Sequence, residues 1–208
     1  MKTILFQGDS ITSSWRNRED PRSLGDGFAS MVAAQLGLQH PGEYVFYNCG
    51  LGGNRSVDLY ARIQEDIINL HPDYISILIG VNDVLLQDSR GCGVSVEKFH
   101  RIYSMLLDEI LESNPNVKIM LIAPFVSEGP RTADRLDWFR REIGLRADVV
   151  HAIARKYQLP VLDLQSTLDQ MVTNAPYCYW LHDGIHPTPF FHRYIADCWL
   201  SEFDKWHR

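Results

Sequence analysis

Apolar residues along the chain fall into two alternating kinds of run. Short, nearly continuous ones span residues 3–6, 44–47, 74–79, 118–122 and 160–162, and each ends within two residues of Gly8, Asn48, Gly80, Pro124 or Asp163. Apolar runs without polar alternation predict strands buried on both faces of a sheet. The longer runs repeat at helical spacing. One covers 28–36 after Asp26-Gly27, and another covers 57–70 behind Ser56, a good N-cap type. A third, 96–111, puts Phe99, Ile102, Tyr103, Leu106, Leu107 and Ile110 on one face. The run 136–157 is expected to break at Gly144, and 190–206 starts behind Pro187-Thr188-Pro189, where proline suits a first helical turn. Strand and helix alternate throughout, which predicts an α/β fold: one domain over 1–208, with a parallel sheet between helical layers.

Composition narrows the function. The chain has 208 residues, 45% hydrophobic and 22% charged, so a core can form without staples. Its net charge of −6 and lack of any basic run argue against a nucleic-acid partner. The first ten residues, MKTILFQGDS, carry too short an apolar run for a signal peptide, and no stretch is long enough to cross a bilayer. Cys49, Cys92, Cys178 and Cys198 are scattered and form no CxxC pair. They are expected as reduced, buried thiols in a cytoplasmic protein with no membrane partner.

In open parallel sheets, ligands bind beyond the carboxyl ends of the strands. There the chain places Gly8-Asp9-Ser10, Gly50-Leu51-Gly52-Gly53-Asn54 and Gly80-Val81-Asn82-Asp83. Ser10 can present a nucleophilic hydroxyl, or it can cap a helical turn. Asp183-Gly184-Ile185-His186-Pro187 offers an imidazole near neutral titration and a carboxylate three residues away to orient it. The alternative for that pair is a solvated loop. Glycine N–H groups and an asparagine amide could hold a developing oxyanion, or could simply make turns. Asp9 and Asp83 are expected to set the loops by accepting hydrogen bonds.

In the order Ser, Gly, Asn, Asp-x-x-His, these blocks resemble the SGNH or GDSL-type hydrolases, and the resemblance runs almost end to end. It implies a three-layer α/β/α sandwich, flavodoxin-like, with about five parallel strands. It implies a catalytic triad of Ser10, Asp183 and His186, and an oxyanion hole from the Ser10 and Gly53 N–H groups and the Asn82 side chain. Gly52 stands where the family more usually has serine, so two adjacent glycines compete for the donor role. No cofactor or metal is implied. The segment 72–84, Pro124-Phe125 and Glu128 further resemble the family's intracellular acetylxylan esterases. That likeness implies a short acyl ester as small-molecule substrate, with an acetylated oligosaccharide as the favoured form.

Trp15 and Trp180 are the candidate substrate-binding aromatics, with Tyr177 and Tyr179 nearby and His182 a candidate for the pocket wall. The charged stretch 128–146 reads as a solvated helix face with its leading loop. Two rival activities remain: a thioesterase or lysophospholipase acting on longer acyl chains, and, more remotely, a metal-dependent phosphoesterase. The sequence leaves self-association into a homo-oligomer open.

Overall fold

In the computed structural model, which describes residues 1–20 and 22–207, the five apolar runs become β1 (Lys2–Gly8), β2 (Tyr44–Asn48), β3 (Tyr74–Leu78), β4 (Lys118–Ile122) and β5 (Val161–Leu162). They form one parallel sheet in the order β2-β1-β3-β4-β5. The chain leaves β1 toward β2 and returns to its other side as β3, so the strand order reverses at β1. Such a reversal opens a crevice at the carboxyl edge of the sheet.

The helices are α1 (Ser10–Ser13), α2 (Phe28–Gln39), α3 (Ser56–Ala61), α4 (Ile63–Asp66), α5 (Val81–Arg90), α6 (Val96–Ser113), α7 (Leu136–Tyr157), α8 (Gln165–Asn174), α9 (Tyr177–Trp180) and α10 (Pro189–Phe203). Successive residues of a strand feed opposite layers. Ile4 and Phe6 pack with α2 and α10 through Phe28, Val32, Ile195 and Trp199. Leu5, Ile75 and Ile77 pack with α3, α4, α6 and α7 through Leu59, Ile63, Phe99, Leu107 and Val150. Both clusters are fully desolvated, and burying one such aliphatic side chain contributes about 1.5–3 kcal/mol.

Several local expectations are corrected. The segment expected as one helix over 57–70 bends at Arg62, whose guanidinium reaches back to the Asn54 side chain at 2.7 Å. Ser56 does not cap that segment, because its hydroxyl is spent on Asp83; instead Asp58 accepts the Arg55 N–H at 2.8 Å and that residue's guanidinium. No break occurs at Gly144: glycine costs about 1 kcal/mol in a helix, less than the burial of Phe139, Ile143, Val150 and Ile153 supplies. The four cysteines are free thiols, but none is buried, and Cys92 and Cys178 are exposed. Among the described residues no helix is long and apolar enough to cross a membrane.

Candidate active site

The nucleophile loop is set by its own polar groups. Asp9 accepts the Ile11 N–H through Oδ1 at 2.9 Å, which starts α1 and makes Ser10 its first residue. Asn48, at the end of β2, donates to the Thr12 and Leu24 carbonyls at 2.7 Å each and accepts the Gly50 N–H at 3.0 Å. The Leu51 N–H donates to the Gly8 carbonyl, which draws the glycine loop beneath Ser10. A Cβ on Gly52 would stand 3.8 Å from that of Ser10, whereas one on Gly53, at φ +81°, would point into open space. The third block, expected as a loop, is the first turn of α5, a place that favours Asp83 electrostatically. Asn82 donates to the Asn54 carbonyl at 3.1 Å, and Asp83 accepts from the Ser56 hydroxyl at 2.6 Å and from its N–H. Asp9 and Asp83 thus hold the loops, as their positions in the sequence suggest.

The fourth block closes on itself. Leu181 and Pro187 bridge, and the His182 N–H donates to the His186 carbonyl at 2.8 Å. Gly184 turns the chain at φ +96°, a conformation that side chains disfavour. Asp183 Oδ1 accepts the Ile185 and His186 N–H groups at 3.1 and 2.9 Å, while Oδ2 lies 2.8 Å from His186 Nδ1. His186 Nε2 is 2.9 Å from Ser10 Oγ. A carboxylate on one ring nitrogen fixes the proton there and leaves the other nitrogen's lone pair toward the hydroxyl.

The segment after β4 supports this turn, although the sequence reads it as a solvated face. The Ser127 N–H donates to the Gly184 carbonyl and the Arg131 N–H to the Asp183 carbonyl. A Cβ on Gly129 would sit 2.2 Å from the backbone of Asp183 and Gly184, so only glycine fits. Arg131 Nε also lies 2.7 Å from Asp183 Oδ2. Neither Gly129 nor Arg131 announces itself in sequence, because the contact joins residues more than fifty positions apart and uses no recognisable motif.

Charge is distributed unevenly. Partial burial pushes the Asp183 carboxyl up, but hydrogen bonds from the His186 ring and backbone, its charge, and the Ile185 N–H hold it well below the usual carboxylate range. Burial pushes Asp9 up to about 7, despite the Ile11 N–H and the nearby His186, and pushes Asp83 up to about 6 against the Ser56 bonds. His192 is driven down to about 4 by burial and by His182 and His186. Its Nδ1 accepts the Phe28 N–H, so the neutral ring carries its proton on Nε2, which faces Ser14 Oγ at 3.4 Å.

A cavity of about 840 Å³ opens above these groups. Ser10, Asp183, His186, His182 and Trp15 line it, and Trp15 is 92% exposed at the lip. Gly53 and Asn82 are not among its lining residues: Gly53 is exposed next to Gly52, and Asn82 is buried. Among the described residues, the Ser10 and Gly53 N–H groups meet no protein acceptor, and Asn82 Nδ2 has a second N–H beyond the one given to Asn54. Trp180, expected at the pocket, does not line it: Nε1 donates to the Met171 carbonyl, and the ring packs on the core between α8 and α9. Among the described residues no three His, Cys, Asp or Glu side chains converge as a metal site.

An open parallel sheet carrying a serine–histidine–aspartate hydrogen-bond chain at its carboxyl edge has the architecture of a carboxylic ester hydrolase. The chain belongs to the GDSL-like lipase/acylhydrolase family, whose model matches residues 6–194. It is 31% identical to an acetylxylan esterase from Geobacillus stearothermophilus over 99% of this chain and 95% of that protein. The crystal structure of that organism's Axe2, an acetylxylan esterase, superposes with a TM-score of 0.84 at 30% identity, covering 97% of this chain and 93% of Axe2. A candidate GDSL-like lipase from Parabacteroides merdae superposes with a TM-score of 0.90 at 30% identity, covering 96% and 94%. Catalytic mutants of Axe2 replace an aspartate, a serine and a histidine by alanine.

Proposed function

We propose that the protein is a serine esterase that removes short acyl groups, acetyl above all, from a carbohydrate. The observation that carries this reading is the continuous chain Ser10 Oγ–His186 Nε2 and His186 Nδ1–Asp183 Oδ2 beneath an open cavity. His186 Nε2 takes the Ser10 proton as Oγ attacks the ester carbonyl carbon. The oxyanion is held by the N–H groups of Ser10 and Gly53 and by Asn82 Nδ2, donors that need no reorganisation as charge develops. Collapse expels the alcohol, which leaves with the proton held on His186. Water then attacks the acyl-Ser10 ester, giving one proton to His186; the second collapse returns that proton to the departing Ser10 Oγ and releases acetic acid, which ionises to acetate.

The cavity wall supports a small acyl group and a polar alcohol. Its aliphatic lining is four separate side chains, Ile11, Leu51, Pro187 and Pro189, while Ser13, Ser14, Arg16 and His182 offer hydrogen bonds. A long acyl chain would need a continuous apolar channel. Trp15 at the lip presents an aromatic face of the kind that stacks on a sugar ring.

Ser10→Ala should abolish hydrolysis of p-nitrophenyl acetate while leaving the melting temperature close to wild type. Wild-type kcat/KM should fall from acetyl to butyryl to octanoyl esters, and acetate should be released from acetylated xylo-oligosaccharides. An octanoyl preference would transfer the enzyme to the long-chain acylhydrolases and leave the serine chemistry intact.

A further inference from the structure

One wall of the cavity carries cations that lack counterions. Arg16 is half-buried, and its Nε donates to the Gly50 carbonyl at 2.9 Å, which fixes the guanidinium beside the glycine loop. Among the described residues its remaining N–H groups meet no carboxylate. Arg18, two residues on, lines the same cavity, is exposed and, among the described residues, forms no ion pair. Arg131 lines it as well, across from them in sequence and tied to Asp183. A fourth arginine, Arg62, lies close enough to feel Arg16 and Arg18, but Asn54 and Asp66 satisfy it.

Against these three guanidinium groups the cavity sets two carboxylates, Asp26 and Asp183. Asp183 is already engaged by His186 and Arg131. Asp20, beside Arg18 in the chain, pairs instead with Arg22. A chain with net charge −6 has thus left two guanidinium groups without an ion pair, against the single carboxylate of Asp26, in its reactive cavity. Partly burying a guanidinium without a counterion costs free energy that an anionic ligand would offset. Arginine presents the planar fork that matches a carboxylate.

We propose that Arg16 and Arg18 form a carboxylate-binding subsite for the alcohol portion of the ester, so that the preferred substrates are acylated acidic sugars rather than neutral ones. This rests on the esterase reading above and specifies its substrate. The carboxylate would sit on the departing alcohol, because an acetyl group carries none. Attraction from a cleft lined by like charges also speeds encounter, and salt screens it.

Two matched acetyl esters test the subsite: p-acetoxybenzoate, which carries a carboxylate, and methyl p-acetoxybenzoate, which does not. The quantity read is the ratio of their kcat/KM values, so intrinsic differences in leaving group cancel between enzymes. Arg18→Gln should lower that ratio about threefold, and Arg16→Gln with Arg18→Gln about tenfold, the size expected for one and two partly exposed ion pairs. In the wild-type enzyme, raising KCl from about 0.02 to about 0.5 M should slow the anionic ester and spare the neutral one. Turnover of both esters with a ratio insensitive to salt and to either variant would overturn the subsite and leave the esterase standing. Failure of the wild type to hydrolyse either ester would remove the esterase reading, and the subsite with it.

Discussion

Asn82 concentrates the residue-scale argument. It is 7% exposed, fixed by one N–H on the Asn54 carbonyl, and left with a second N–H to give. If that N–H receives the oxyanion, Asn82→Ala should lower kcat by about 10²–10³, or about 2.7–4 kcal/mol of transition-state stabilisation, with KM little changed. Steady-state kinetics on p-nitrophenyl acetate decide it, and an unchanged kcat would take Asn82 out of the mechanism. The residues of this centre were legible unevenly. Ser10, Asp183 and His186 were named through the resemblance that four ordered blocks carry, since each block alone reads as readily as a cap, a turn or a solvated loop. Trp180 was misplaced because nearness to Asp183 in sequence says nothing about which way a short helix turns its ring, and here the indole N–H finds the Met171 carbonyl. Arg131 carries no local pattern at all, and only the fold brings it to the carboxylate.

At the scale of elements, the turn bearing Asp183 and His186 is held by the segment after β4. Gly129 makes the closest approach, with backbone atoms of Asp183 and Gly184 on its far side. Backbone cannot swing aside as a side-chain tip can, so Gly129→Ala must displace one segment or the other. The cost expected of overpacking is about 1–3 kcal/mol in stability. The larger effect should be on kcat, since a shift of about 1 Å at His186 is worth up to about a hundredfold. Thermal melts and kinetics together separate the two; full activity with lowered stability would show that the turn adapts. The strands were readable because both faces are buried and no polar alternation interrupts them. The helices α1, α5, α8 and α9 were not read: α1 and α9 are four residues each, α8 buries only Leu168, and the buried turn of α5 mixes polar Asn82 and Asp83 with Val81 and Val84, so none carries a periodic apolar signal.

Across the whole molecule, stability should depend on pH through groups buried beside the site. An unfolded aspartate loses its proton near 3.8, whereas burial delays Asp9 to about 7. Between those values the unfolded chain binds fewer protons than the folded one, so this contribution is complete below the window and fades as pH rises through it. Asp9→Asn keeps an acceptor for the Ile11 N–H and never ionises. Its stability relative to wild type should therefore improve between about pH 4 and about pH 8, by on the order of 2–4 kcal/mol. Urea titrations at the two pH values measure the difference, and equal offsets at both would mean that Asp9 ionises normally. His192 acts in the opposite sense, since its protonation is held down to about 4 and its contribution is lost as pH falls from 6.5.

The two rims of the cavity are built to different standards of rigidity. The histidine side is clamped main chain to main chain through Ser127, Gly129 and Arg131. The opposite rim carries Trp15, Arg16 and Arg18; the Asn17 N–H beside them donates to Ser23 Oγ and the Ser23 N–H to the Asp20 carbonyl, and Arg16 is the tie to the glycine loop. Reactivity and taste are therefore separable in this architecture. A lineage, or a protein engineer, can rewrite the loose rim to court a new alcohol while the proton relay stays where it is.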